Sequence, residues 1–422
     1  MPLRSAMLRR SIGFLLLGVL AGGAGCIRAV DTTPERKFLL GDDRGAIEGF
    51  AERLVEPSKR EALDANLLGT AAWVGGDWAT ARRAFIDAGM IMGSFPSEQT
   101  GAIIGAEGSK IYLGDPYEGA MNSLYTALAL LATGDEENAR AALKNGILID
   151  SDVKEEKYRS DIAALFLLEA WLSLRIGKDD LAEKDLEVVR RILPDCPLAD
   201  PELLRGANTI VAIDVGDGPQ KIRTGKHGEL ASFATPKPVE RALSLTIGEQ
   251  ITPLVEGVDV SFQATTRGGR SFDGILRGKA VFKEVAEVAG VLVIDDALSG
   301  RKKSNGKSRS SKEIGAQLAV GGGLLILSAL TRAEADIRHW HLLPAATYLW
   351  IGRVDPGLHT VDLRVRGASG PELATYRQTW HHIPFSEDRM NVLYLRTGPH
   401  RGFGNTDSVA PGNRGRPERG SP

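Results

Sequence analysis

The chain reads as an α+β protein of more than one domain. A helical repeat array over residues 41–205 is followed by a strand-rich domain over 206–397 that contains one buried apolar helix. Three observations predict this. A Gly-Asp or Gly-Lys pair recurs at Gly41-Asp42, Gly76-Asp77, Gly134-Asp135 and Gly177-Lys178. Five residues beyond each Gly stands an alanine (Ala46, Ala81, Ala139, Ala182), and four further on a large apolar residue (Phe50, Phe85, Leu143, Leu186). From Thr209 onward the pattern changes to short apolar runs between turn residues, and the 49 glycines concentrate after residue 200.

Each repeat offset has a physical reason. Glycine accepts the positive φ that closes a turn between two helices, and Asp caps the helix that follows. The alanine marks where the second helix crosses the first, its methyl letting the axes approach to about 8–10 Å. The large residue one turn later fills the groove on the same face. Gly69, Ala127 and Ala170, seven residues before three of the turns, supply the small partners on the first helix, and Pro194 ends the last repeat. This pattern resembles the tetratricopeptide repeat, whose period is about 34 residues. The first two turns are 35 apart; the later spacings of 58 and 43 require insertions, the longer over about 94–119. Such repeats form a solenoid with a concave binding face.

The spacing predicts helices over 43–55, 61–74, 78–92, 118–133, 136–149, 158–176 and 179–192, after a polar tether over 27–40 with room for one more. Strands are expected at 209–215, 242–247, 257–264, 346–353, 358–366, 373–380 and 391–396, with a weaker apolar run at 291–294. Residues 280–288 suit a helix and 299–312 a basic, soluble loop. Residues 314–331 carry no charge; their three consecutive glycines and the charged residues that follow favour a buried helix over a membrane span. After Gly398 the composition of Gly, Pro, Arg and Ser predicts a disordered tail over 398–422.

The first twenty-six residues read as an export signal. Arg4, Arg9 and Arg10 precede a short apolar core, Ile12 to Leu20, too short to span a bilayer. Small residues then lead into Cys26, which resembles a bacterial lipoprotein signal, although Gly23 stands where Leu is usual. The resemblance implies lipidation of Cys26; plain secretion with a spare cysteine is the alternative. With only Cys26 and Cys196 present, a disulfide scaffold and a four-cysteine zinc site are excluded. A net charge of −2 supplies no overall field to recruit nucleic acid.

Two groups of residues are candidates for a site. Tyr112, Tyr117 and Glu118, around the turn at Pro116, are open to two readings: the two tyrosines staple the insertion to the helices, which is the favoured one, or the three residues line the concave side of the repeats as a partner-binding surface. Asp336 and Arg338 suit an ion pair, with Arg338 placed to stack on Trp340 and a ligand-binding role as the second reading. His339 and His341 alternate, and His381 and His382 are paired; histidine pairs bind zinc, but no acid shares their strands and Trp340 and Trp380 beside them suggest packing, so no metal is assigned. Gly321-Gly322-Gly323 lacks the Lys-Ser/Thr of a phosphate loop, and neither a serine elbow nor a dinucleotide fingerprint occurs. No cofactor is implied.

Gly76-Asp77-Trp78 with Ala81 to Phe85, Tyr112 to Glu118, and Ala335 to Trp340 with Leu343-Pro344 together resemble a family of uncharacterised bacterial lipoproteins that join tetratricopeptide-like repeats to a strand-rich C-terminal domain. Gly114-Asp115 departs from the Gly-Glu expected there. The resemblance implies an envelope location, at the outer membrane facing the periplasm, and carries no catalytic residues. The expected function is a non-enzymatic scaffold that binds a protein or peptide through its repeats and the membrane through its lipid. The alternative is an envelope enzyme or small-ligand-binding protein with its site in the C-terminal domain.

Overall fold

A computed structural model of the chain describes residues 31–93, 111–151, 160–224, 230–267, 335–367, 370–397 and 403–405. Among them are ten α-helices and three sheets. The expectations for Cys26 and for 280–288, 291–294, 299–312 and 314–331 lie outside the described residues. Among the described residues no helix is long and apolar enough to cross a membrane.

The helices come first: α1 (Thr33–Leu39), α2 (Asp43–Arg53), α3 (Glu61–Val74), α4 (Trp78–Gly93), α5 (Pro116–Ala132), α6 (Glu136–Ser151), α7 (Ala163–Arg175), α8 (Asp179–Ile192) and the short α9 (Pro201–Arg205). Each repeat turn adopts one geometry. Gly41, Gly76, Gly134 and Gly177 have φ between 70° and 79°. The residue after each donates its N–H five residues back, Asp77 to Ala72 at 2.8 Å and Asp42, Asp135 and Lys178 likewise at 2.9 Å. This closes the carbonyls left open at the helix end. Asp42, Asp77 and Asp135 then cap the next helix by accepting from Gly45, Thr80 and Asn138. The alanines and large apolar residues at the repeat offsets are buried without exception.

The helices sort into two layers. In α4, α6 and α8 only one stripe is buried, as in Ala182, Leu186 and Val189 of α8. In α3, α5 and α7 every residue from Ala62 to Val74, from Tyr117 to Leu131 and from Ala163 to Leu174 is buried. A helix apolar all round has to be covered on two sides. One side is the outer helices; the other is a mixed sheet.

That sheet has the order β11-β10-β1-β7-β6: β1 (Thr209–Val215), β6 (Val255–Asp259), β7 (Ala346–Gly352), β10 (Asn391–Arg396) and β11 (Phe403–Asn405). β1 runs parallel to β10 and antiparallel to β7, and all seven of its residues are buried, as expected of a strand covered on both faces. Trp73 of α3 packs on Tyr394 of β10 with ring centroids 5.2 Å apart, and Tyr125 of α5 donates to Asp214 of β1 at 2.6 Å. At Gly257 of β6 an added Cβ would lie 3.0 Å from Ala164 of α7. Helices and sheet therefore share one hydrophobic core. A second sheet, β5-β4-β8-β9, joins β4 (Glu240–Ile247), β5 (Gln250–Thr252), β8 (Gly357–Gly367) and β9 (Gln378–Phe385), while β2 (Gln220–Thr224) and β3 (Leu230–Ala234) form a separate ribbon.

Most element boundaries match the sequence expectations within a few residues, with three differences. The expected strand at 257–264 turns into a helix, α10 (Val260–Arg267), at Val260. Asp259 accepts from Phe262 N–H at 2.8 Å and caps that helix. The strand expected at 373–380 begins only at Gln378, because 374–376 form a 3₁₀ turn. Residues 403–405, within the expected tail, pair with β10. The ribbon β2–β3 and the short β5 had no alternating apolar pattern to reveal them.

Candidate functional site

The two groups singled out in the sequence meet at one place. Gly114, with φ of 69°, turns the chain into α5, and Pro116 sits in its first turn. Asp115 and Glu118 form a capping box there, with Asp115 N–H donating to Glu118 Oε2 at 2.6 Å. Across from them runs the segment Ala335–Leu343, the strap, which leads into β7. Glu118 Oε1 accepts the backbone N–H of Trp340. The Trp340 ring enters the core against the stacked pair of Phe85 and Tyr125, at 5.9 and 5.7 Å, and its Nε1–H donates to Thr70 at 2.9 Å. Lys221 of β2 closes the third side, 2.6 Å from Asp115, with both side chains almost wholly buried.

Asp336 and Arg338 do form the expected ion pair, at 2.6 Å. Arg338 does not stack on Trp340. It lies over Tyr112, 5.6 Å from the ring centroid, and donates to the Lys59 carbonyl at 3.1 Å, the same oxygen that receives Tyr112 N–H. Tyr112, Tyr117 and Glu118 were read either as staples of the insertion or as part of a concave partner surface. They are 4%, 1% and 0% exposed. The strap and the β2–β3 ribbon cover them, Tyr117 meeting Phe233 edge-on at 5.7 Å. The face of α3, α5 and α7 that would line a concave groove is filled by the chain's own sheet and strap.

The electrostatics follow from burial. Desolvation and the neighbouring Asp115 carboxylate push Glu118 up to about 7, against the opposing pull of Lys221 and the two N–H donors. Burial also lowers His339, and burial together with His339 brings His341 down to about 4. The two rings stand edge-on, 5.8 Å apart. His341 faces Glu35 at 3.6 Å, and from Glu35 ion pairs continue through Arg53 to Asp64 and Arg60, tying the strap to α1, α2 and α3.

A second buried carboxylate sits between helices and sheet. Asp214 accepts from Tyr125, Tyr394 and Thr347 at 2.6–2.8 Å, with Arg396 at 3.8 Å. Desolvation raises it, against the pull of Arg396 and the three hydroxyls. All its neighbours are core residues. Among the described residues no group of three His, Cys, Asp or Glu side chains is placed to hold a metal ion. His381 instead contacts Thr360 at 3.2 Å, and His382 occupies a bulge with φ of 58°.

Among the described residues an open groove of about 520 Å³ lies between α3, α4 and the end of α2. Leu54, Leu68, Met90 and Ile91 provide apolar lining, and Glu61, Arg83 and Asp87 contribute charges. Met90 is 63% exposed.

Comparison with protein-family models, curated proteins and solved structures finds no match.

Sequence reasoning missed Lys221 and the groove. The capping box was visible as Asp115-x-x-Glu118. Nothing near Lys221 in the chain announces its partner, which lies 106 residues away.

Proposed function

We propose that the chain is an exported, non-enzymatic lipoprotein of the cell envelope, held at the outer membrane by lipid on Cys26 and facing the periplasm. In this reading its tetratricopeptide-like repeats are a scaffold for a protein or peptide partner. The four turns with one geometry support the repeat reading. The observation that carries the binding reading is the groove between α3 and α4, where an apolar floor lies beside an exposed Met90 and mixed charges. Methionine adapts to varied surfaces, and an apolar centre with a polar rim is the usual anatomy of a protein contact. The partner surface is therefore assigned to this groove and not to the filled inner face.

A photo-crosslinking amino acid placed at position 90 in the native host tests this, with position 148 of α6, also an exposed apolar residue, as the control. The expected result is a discrete adduct at 90 that is absent at 148, and loss of binding to the purified captured protein in Met90→Asp. Equal adducts at both positions would refute the assignment.

A further inference from the structure

We propose that the outer face of the second sheet carries a phosphate-binding site built from Arg364 of β8, Arg377 just before β9 and Ser244 of β4. The strand register places the three side by side. Ser244 pairs with Arg364, and Gln378 pairs with Leu363, so Arg377 comes opposite Arg364 on its other flank. The next row on the same face is Thr246, Asp362 and Thr379. Strand alternation turns both rows outward, because Leu245, Val361, Leu363 and Val365 between them are fully buried.

Two arginines facing each other across a sheet are a like-charge pair, which weakens the pairing unless something offsets the charge. Asp362 offsets half of it. Its Oδ2 accepts from Arg364 Nε–H at 2.8 Å and from Arg377 Nη2–H at 3.2 Å, and its Oδ1 accepts from Arg377 Nε–H at 3.0 Å and the Thr379 hydroxyl at 2.7 Å. Burial works against the ionised carboxylate, but these bonds hold Asp362 below the usual carboxylate range, so one negative charge stands against two positive. Along the face, Arg366 and Glu372 stand opposite each other, and Glu372 also attracts Arg377. Three arginines and two acids leave one cation in excess, in a chain whose net charge is −2.

That excess lies at the surface and is ordered. Asp362 is buried, whereas the side chains of Arg364 and Arg377 are 51% and 44% exposed. Among the described residues Arg364 gives only its Nε–H to Asp362, so both of its terminal nitrogens lack an acceptor, as does Nη1 of Arg377. The shared carboxylate fixes both guanidiniums in advance, which lowers the entropy cost of binding. Guanidinium forks match the oxygens of carboxylates and phosphates. The donors here come from three segments of chain, so a planar carboxylate with two oxygens cannot serve them all. A tetrahedral phosphate can accept from both forks and the exposed Ser244 hydroxyl, and its charge more than covers the excess.

Thermal denaturation of the full chain in inorganic phosphate, against sodium chloride of matched ionic strength at neutral pH, tests the proposal. The expected result is a saturable rise in Tm that yields a dissociation constant. Arg364→Gln and Arg377→Gln should each raise that constant by about tenfold, and Arg366→Gln should leave it unchanged. Arg364→Lys keeps the charge and the pairing with Asp362 but not the fork, and should weaken binding by about as much, so it decides the matter where the glutamine variants fold poorly. Flotation of the Cys26→Ser chain with phosphatidylglycerol vesicles identifies the source of the phosphate. Flotation that Arg364→Gln abolishes assigns it to a lipid headgroup; saturable phosphate binding without flotation assigns it to a soluble phosphate compound. Excluded salts stabilise any fold without a site. A rise in Tm that does not saturate, or one of equal size in the wild type, Arg364→Gln and Arg364→Lys, would therefore overturn the proposal.

Discussion

Gly69→Ala isolates what tertiary packing adds to helix propensity. Gly69 lies inside α3 and Gly119 inside α5, both on the inner layer. Replacing glycine by alanine in a helix interior gains up to about 1 kcal/mol from propensity alone. At Gly119 the new methyl finds Ile149 at 3.4 Å, an ordinary contact, so Gly119→Ala should stabilise by about 0.5–1 kcal/mol. At Gly69 the methyl would stand 2.5 Å from Phe85 Cε1 and 2.6 Å from Cδ1. The ring must retreat by about 1 Å, and it cannot do so freely: it is fully buried, stacked on Tyr125 at 5.5 Å and set against Trp340 at 5.9 Å. Such overpacking costs about 1–3 kcal/mol, more than the propensity gain, so Gly69→Ala should be destabilising by about 1–2 kcal/mol. Chemical denaturation of a soluble chain starting at Ile27 measures both variants. Phe85→Leu in the Gly69→Ala background should recover part of the loss in a double-mutant cycle. If Gly69→Ala stabilises as much as Gly119→Ala, the packing of α3 on α4 described above is wrong.

Three further outcomes are expected. Cys26→Ser should release the protein from the membrane fraction, checked by fractionation of cells; continued sedimentation with membranes would refute lipid attachment as the anchor. Ala139→Leu, at a wholly buried crossing of α5 and α6, should cost about 1–3 kcal/mol. Glu136→Ala, which removes a partly exposed pair with Arg175, should cost about 1 kcal/mol or less; equal thermal shifts would refute the register. The third outcome concerns pH. His341, held near 4 against about 6.5 in the unfolded chain, makes stability fall as pH drops from about 6.5 towards 4, because the unfolded state then binds a proton that the native state does not. Glu118, raised to about 7 from about 4.5, does the opposite, and stability falls as pH rises from about 4.5 to 7. The two slopes oppose each other in the wild type. His341→Gln should therefore leave a profile that declines from pH 5 to 7, measured as Tm against pH, and an unchanged profile would refute the assignment.

The helical hairpins were legible because their signals are local. A glycine that must adopt positive φ, an Asp that caps three residues on and an alanine at the crossing lie within a few residues of one another, so position in the chain encodes their geometry. The boundaries of α3 and α8 and of β1 and β10 follow directly from such patterns. Where the local signal was thin the expectation failed. Lys221 and Ile222 sit in a strand that has no apolar alternation, and the run from Val260 is as apolar as a strand but begins after an Asp that caps a helix.

The sequence by itself determined the repeat turns and the change from helices to strands after Thr209. It also contained the burial of α3, α5 and α7, in helices too apolar to leave any face in water, but not the identity of what covers them. Only the tertiary structure decided that β10, β1 and β6 fill that face, and that the strap seals Tyr112, Tyr117 and Glu118 beneath Trp340. Glu118 and Trp340 are 222 residues apart. Apolar burial is non-directional, so a hydrophobic face specifies that it must be covered and leaves its partner to the packing of the whole chain.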